Sequence, residues 1–178
     1  MRKLKLYIAT SLDGKIARLN DSVDWLERIL NPEKTDYGYK NFYDSIDTTL
    51  MGNKTYKAIL NFDTLYPYID KKNYVFTRST QEKDDGNVQF INKEVDSFIK
   101  ALKQQEGKDI WLVGGGSFTT FLLNEGLIDE MQLFIMPILI GEGIPLFEGN
   151  TREILLDLEE AVTYQSGVQF LRYSLTNL

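Results

Sequence analysis

The sequence predicts an α/β domain: a largely parallel sheet with helices on both faces that finishes in an antiparallel hairpin. Three observations predict it. Two short buried-type runs, Thr48 to Met51 and Ile110 to Val113, each end in glycine and lead at once into a helical pattern. Strand and helix patterns alternate as far as Gly126 with links of crossover length, which parallel pairing requires. Beyond Gly126 the texture is all strand, and Ile154 to Tyr164 and Val168 to Leu175 flank the turn Gln165-Ser166-Gly167.

The first strand is marked by Lys3, Lys5 and Tyr7 alternating with Leu4, Leu6 and Ile8, and Ala9 ends it before a polar loop, Ser11 to Ile16. That loop is either an Asp-Gly turn between two strands or a mobile flap at a strand's carboxyl end. From Asp36 the period becomes helical, with Tyr39, Phe42, Tyr43 and Ile46 on one face. Asp36 itself is either the N-cap of this helix or a carboxylate aimed into a cavity.

Thr48 to Met51 is the second strand, closed by Gly52, with Asn53 capping a helix that carries Tyr56, Ile59 and Leu60. Asn73 to Thr77 is the third, leaving the sheet through Thr77, Arg78 and Ser79. These offer two hydroxyls and a guanidinium, which suit a phosphate, or an ordinary exposed cation on a loop. Gln81 to Asn87 is a charged turn and Val88 to Ile91 a short strand. Asn92 caps the next helix, with Val95, Phe98, Ile99 and Leu102 inward and Lys100, Lys103 and Gln104 outward, ending at Gly107. After the Ile110 strand come Gly114, Gly115 and Gly116, then a helix capped by Ser117 that buries Phe118, Phe121 and Leu122 and stops at Gly126. Glycines admit a ligand close to the backbone, and the first N–H groups of a helix attract anions. Two such junctions in one sheet therefore suit a pyrophosphate. Met131 to Met136 and Pro137 to Phe147 complete the strand-rich region.

Composition narrows the chemistry. The 178 residues are one domain by length, and 43% hydrophobic content supports a buried core. A net charge of −6 argues against nucleic acid as the partner. With no cysteine and no histidine, disulfides, thiolate and imidazole metal sites and imidazole acid–base chemistry are excluded, leaving Asp, Glu, Lys, Tyr or water to move protons. The N-terminal apolar stretch is too short for a signal peptide, and Leu133 to Ile140 is too short for a membrane span. The chain reads as cytoplasmic, with no membrane partner.

Taken in order, Ala9 with Ser11 to Ile16, Leu50 to Tyr56, Phe76 to Ser79, Val113 to Ser117, and Pro137 to Phe147 resemble the dihydrofolate reductase-like superfamily, and within it the reductase domain of bacterial riboflavin biosynthesis. The resemblance implies a three-layer fold around a mixed, mainly parallel sheet of about eight strands. It implies NADPH as cofactor across the strand ends, held by Gly52, Lys54 and Thr55 on one side and Val113, Gly114, Gly115, Gly116, Ser117 and Phe118 on the other. Thr77, Arg78 and Ser79 would meet the 2′-phosphate. Ala9, Gly14, Lys15 and Ile16 would flank the nicotinamide. The peptide between Gly114 and Gly115 is often cis in that family. Asp36 falls where dihydrofolate reductases carry their pterin-binding acid, and is the candidate catalytic residue, with a pKa raised by burial beside Tyr39 and Tyr43. Asn53 stands where an Arg commonly meets the cofactor phosphate, and Lys71 lies near the Arg that clamps the folate tail. The implied reaction is reduction of a small pterin or pyrimidine, with an aminouracil ribose-phosphate first, dihydrofolate second and another small molecule third. A nucleotide-binding protein without turnover is the alternative of another class. A homodimer through the late strands is also implied.

Overall fold

The computed structural model describes residues 1–62, 65–82 and 85–175. Its centre is an eight-stranded sheet formed by β1 (Leu4–Ser11), β3 (Ile46–Gly52), β4 (Lys72–Phe76), β5 (Gln89–Ile91), β6 (Asp109–Gly114), β7 (Glu130–Met136), β9 (Leu156–Thr163) and β10 (Gln169–Leu175). The spatial order is β5-β4-β3-β6-β1-β7-β10-β9. The strands from β5 to β7 pair parallel, and β10 runs antiparallel to both β7 and β9. A small second sheet joins β2 (Lys15–Ala17) to β8 (Ile144–Pro145).

Alternation along the strands sorts side chains to two helix layers. Leu4, Leu6, Leu50, Ile110 and Leu112 face one way, packing with Ile99 and Leu102 of α3 (Val95–Gln104) and with Leu122 and Leu123 of α4 (Gly116–Asn124). Met51 and Val75 face the other way, against Tyr56 and Ile59 of α2 (Asn53–Leu60), and Trp111 meets Phe42 of α1 (Tyr39–Asp44) on that same face. Each such Leu or Ile taken fully out of water contributes about 1.5–3 kcal/mol, so both layers are held chiefly by this apolar contact. The expected three-layer plan, with helices on both faces and the terminal hairpin, is what the chain adopts.

Several local expectations need correction. The first strand continues through Thr10 to Ser11, because β1 pairs with β7 over its whole carboxyl half. Ile46 opens β3 and does not close the preceding helix; the Ser45 hydroxyl donates to the Phe42 carbonyl (2.6 Å) at the helix end. Neither Asn53 nor Ser117 is a cap. Gly52 and Gly115 hold those positions without a side-chain hydrogen bond, and Glu94, not Asn92, precedes α3. Lys103 points inward, since its ammonium donates to the Leu127 carbonyl (3.1 Å) and pairs with Asp129 at 2.7 Å. Phe121 is exposed on α4. From Pro137 to Phe147 only the two residues of β8 are strand. In the charged turn after Gln81, residues 83 and 84 lie outside the described residues.

The topology creates one special place. β3 passes through α2 to β4 on one side of it, while β6, its immediate neighbour, passes through α4 to β7 on the other. Between β3 and β6 the connections diverge, which is where open sheets of this kind form a crevice beyond the strands' carboxyl ends.

Candidate active site

At that crevice the register sets Met51 opposite Gly114, so the two glycine-ended strands finish side by side. Gly114 has φ +134° and Gly115 φ +98°, backbone that side chains rarely allow. A Cβ built on Gly115 would come within 2.9 Å of the Thr55 hydroxyl, and one on Gly52 within 3.5 Å of the Phe118 Cβ. The first turns of α2 and α4 thus approach each other across a narrow trough whose glycines leave no room for a side chain. Among the described residues no side-chain cap hydrogen bond is made at either helix start, and the first N–H groups of a helix suit an anionic group. The residues present fit a dinucleotide pyrophosphate: Gly52, Thr55 and Gly114 to Gly116 form the walls, with Lys54 and Ser117 exposed at the rim. Phe118 stacks on Phe76 at 4.7 Å and so anchors α4 to the core. No peptide bond among the described residues is cis; the Gly114–Gly115 link is trans, and positive φ at both glycines makes the turn instead.

Thr77, Arg78 and Ser79 follow β4 next to this trough. The Asn53 amide donates to the Thr77 hydroxyl (3.4 Å), and that hydroxyl accepts from the Ser79 N–H (3.1 Å), which shapes the turn. The Arg78 side chain is exposed.

The loop after β1 is a turn between two strands, but the second strand pairs with β8 and not with β1. The Asp13 carboxylate accepts from the Ser11 hydroxyl (2.6 Å) and from the Ile140 and Gly141 N–H groups (3.0 and 2.7 Å). The Leu146 N–H donates to the Gly14 carbonyl (2.9 Å). The Ser11 hydroxyl, followed by those backbone donors, lowers the Asp13 pKa to about 2. Its folded pKa is depressed, so the pinning is complete above the ordinary carboxylate range and is lost as pH falls through about 2. Asp13→Ala is expected to speed amide exchange at Ile140 and Gly141 at neutral pH; unchanged exchange would show that the other bonds hold the loop by themselves.

On the α1 face of the sheet, Tyr7, Phe42, Phe134 and Phe170 wall a hollow of about 320 Å³ that also presents Asn41, Gln132 and Glu160. Tyr7 stacks on Phe42 at 4.0 Å. Burial, then the Asp36 charge, pushes its hydroxyl well above the usual tyrosine range, so it stays protonated. Phe134 pairs with Ala9, so the hollow adjoins the strand position expected beside a nicotinamide. Lys15 and Ile16 both lie in β2, where Lys15 pairs with Pro145. Val113 packs with the aromatic cluster around Trp111.

Of the two readings of Asp36, the inward acid fails and a role at the helix start remains. The residue is exposed; one carboxylate oxygen accepts from the Gly38 N–H (2.9 Å) and the other from the Lys40 N–H (3.0 Å). Those backbone donors hold its pKa below the ordinary carboxylate value, the reverse of the predicted rise. Its work is to order the start of α1. Lys71 is likewise engaged, with its ammonium 4.0 Å over the Tyr43 ring and 3.2 Å from Asp70. Sequence reasoning missed Tyr7, Gln132 and Phe134. Their signal was the strand alternation: Tyr7 and Ala9 share a face opposite to the core leucines.

A family model of the RibD C-terminal domain matches residues 2–170. An uncharacterized protein of Bacillus subtilis, YwjB, is 39% identical over 94% of this chain and 95% of its own. A Shewanella structure assigned to riboflavin biosynthesis superposes with a TM-score of 0.88 at 28% identity, covering 98% of this chain and 99% of that one. The Thermotoga maritima deaminase/5-amino-6-(5-phosphoribosylamino)uracil reductase has a TM-score of 0.72 at 15% identity over 98% of this chain and 57% of the longer enzyme. Enterococcus faecalis dihydrofolate reductase, solved with NADP(H), gives 0.67 at 15% identity, over 98% of this chain and 97% of that one; these last two show the shared fold. With the switch-point crevice, the paired glycine turns and a family match over nearly its whole length, the chain belongs to the RibD C-terminal domain family of reductases.

Proposed function

We propose that the chain reduces a phosphoribosyl-pyrimidine of the riboflavin type, with NADPH as hydride donor. The observation that carries this reading is the approach of Gly115 to Thr55 at the β3/β6 crevice, a cradle that an added Cβ would fill. The bound nicotinamide would supply the hydride. The chain's residues then have distinct tasks. Helix N–H groups hold the phosphates, Ala9 and the pinned loop limit water, and the aromatic hollow beside Ala9 holds a planar ring against Tyr7 and Phe42. Asn41, Gln132 and Glu160 provide the hydrogen-bonding groups that a substituted pyrimidine needs.

The folate reading is weaker on this geometry. Both Asp36 oxygens are occupied by backbone donors, and Tyr39, Tyr43 and Tyr68 crowd Trp111 beside the engaged Lys71. Asp36→Asn is expected to leave the pH–rate profile unmoved; loss of the fall in rate at higher pH would restore Asp36 as proton donor. The function is tested by following NADPH oxidation with the deaminated aminouracil ribose-phosphate and, separately, with dihydrofolate. Turnover of the first alone supports the proposal. Turnover of dihydrofolate alone overturns the substrate, and saturable NADPH binding with neither consumed favours the non-catalytic alternative.

We further propose a homodimer through β9 and β10. Leu156 and Leu158 are exposed on the edge strand β9, an edge and apolar face that a second copy would cover. Sedimentation should give twice the 20.6 kDa chain mass, and a monomer at all concentrations would refute it.

A further inference from the structure

The corner where Thr77 to Ser79 leave β4, the expected adenosine end, contains an acidic residue that the phosphate expectation did not include. The Asn53 amide, at the first turn of α2, donates both to Thr77 and to Glu82 (3.4 and 3.0 Å). Lys57, one turn further along α2, donates to the same Glu82 oxygen at 2.9 Å. Glu82 is thereby fixed two hydrogen bonds from the Thr77 hydroxyl, with only 27% of its side chain exposed. The Asn53 side-chain amide oxygen is buried and has no partner among the described residues. This corner therefore presents an ionised acceptor. A 2′-hydroxyl can donate to such a group, whereas a 2′-phosphate is an acceptor only and carries like charge.

Two cations oppose this. Lys57 is already committed to Glu82. Arg78 is exposed, and a side chain there must be ordered on binding while solvent and salt screen its attraction.

Resting on the nicotinamide reading above, we propose that Glu82, held by Asn53 and Lys57, determines nucleotide preference by accepting a free ribose 2′-hydroxyl, so that NADH binds nearly as well as NADPH. The lysine and the Asn53 amide keep Glu82 ionised: its pKa lies below the ordinary value, first through Lys57 and then through Asn53. The carboxylate is thus present at any pH where the protein would work.

The test is a pair of dissociation constants, for NADH and NADPH, measured by binding on the wild-type chain and on Glu82→Gln, with 5′-AMP and 2′,5′-ADP as competing fragments. The wild-type constants are expected to lie within about tenfold of each other, and Glu82→Gln to move the ratio about fivefold or more toward NADPH, as removal of a like charge requires. Lys57→Met, which strips the cation offsetting Glu82, should move it the opposite way. Thermal unfolding of each variant confirms that the fold persists. Two outcomes sink the inference while sparing the cofactor reading: a wild-type preference for NADPH above about a hundredfold, or a ratio that Glu82→Gln leaves in place while both nucleotides bind. Absence of saturable binding by either nucleotide overturns the cofactor reading and this inference together.

Discussion

Replacing Gly116 with alanine is expected to lower the melting temperature by roughly 10 °C. The new methyl would fall on the Pro145 carbonyl oxygen and lie 3.3 Å from the Glu148 Cβ. That carbonyl cannot step aside freely, because Pro145 pairs with Lys15 and the neighbouring Leu146 N–H is bonded to Gly14. Overpacking against fixed backbone costs about 3 kcal/mol. In a domain of this length each kcal/mol moves the midpoint by roughly 2–4 °C. Gly115→Ala should behave differently. Its φ of +98° makes any side chain strained, at about 1–2 kcal/mol, but its methyl points at Thr55, across the trough. A modest stability loss with at least about tenfold weaker NADPH binding is the expected pattern there, by denaturation and by titration. If Gly116→Ala melts with the parent, the 144–148 segment does not rest on α4 as described. If Gly115→Ala binds NADPH normally, the cradle assignment fails.

Trp111→Ala is expected to destabilise the protein by about 4 kcal/mol, the cost of emptying a large buried aromatic site. Trp111 is 5% exposed, and its ring lies 5.1 Å from Tyr68, 5.5 Å from Phe42 and 6.2 Å from Tyr7. Its indole N–H also donates to the Tyr7 carbonyl (3.0 Å), tying β6 to β1 below the hollow. Trp111→Phe keeps most of the ring contact and loses that bond, so about 1–2 kcal/mol should separate it from the parent. Denaturant midpoints distinguish the two variants. The alanine variant should also lose affinity for a pyrimidine substrate, because Tyr7 and Phe42 would relax into the space left by the indole. Affinity retained alongside the full stability loss would mean that the substrate ring lies elsewhere.

The strand, glycine and helix junctions at Gly52 and Gly114 were legible in the chain itself, since a buried apolar run stopped by glycine has few local solutions. So were the crossover helix α3 and the terminal hairpin, whose periods of 3.6 and 2 are local properties. Side-chain partners were not legible. For Asp36 the sequence left an N-cap and an inward acid both open, because a helix period gives a face but not the backbone donors that claim a carboxylate. Lys103 read as outward because its partner Asp129 lies 26 residues away, and Asp13 reaches its donors at Ile140 and Gly141 across more than a hundred residues.

By itself the sequence determined the element order, the two glycine turns and the absence of histidine and cysteine chemistry, because each depends only on residue type and near spacing. The tertiary structure alone decided that β3 and β6 are neighbours, that Thr55 faces Gly115, and that Tyr7, Phe42 and Phe134 enclose one hollow. Those relations come from pairing across the sheet, where contacts far apart in the chain compete for the same surface and only the assembled fold selects among them.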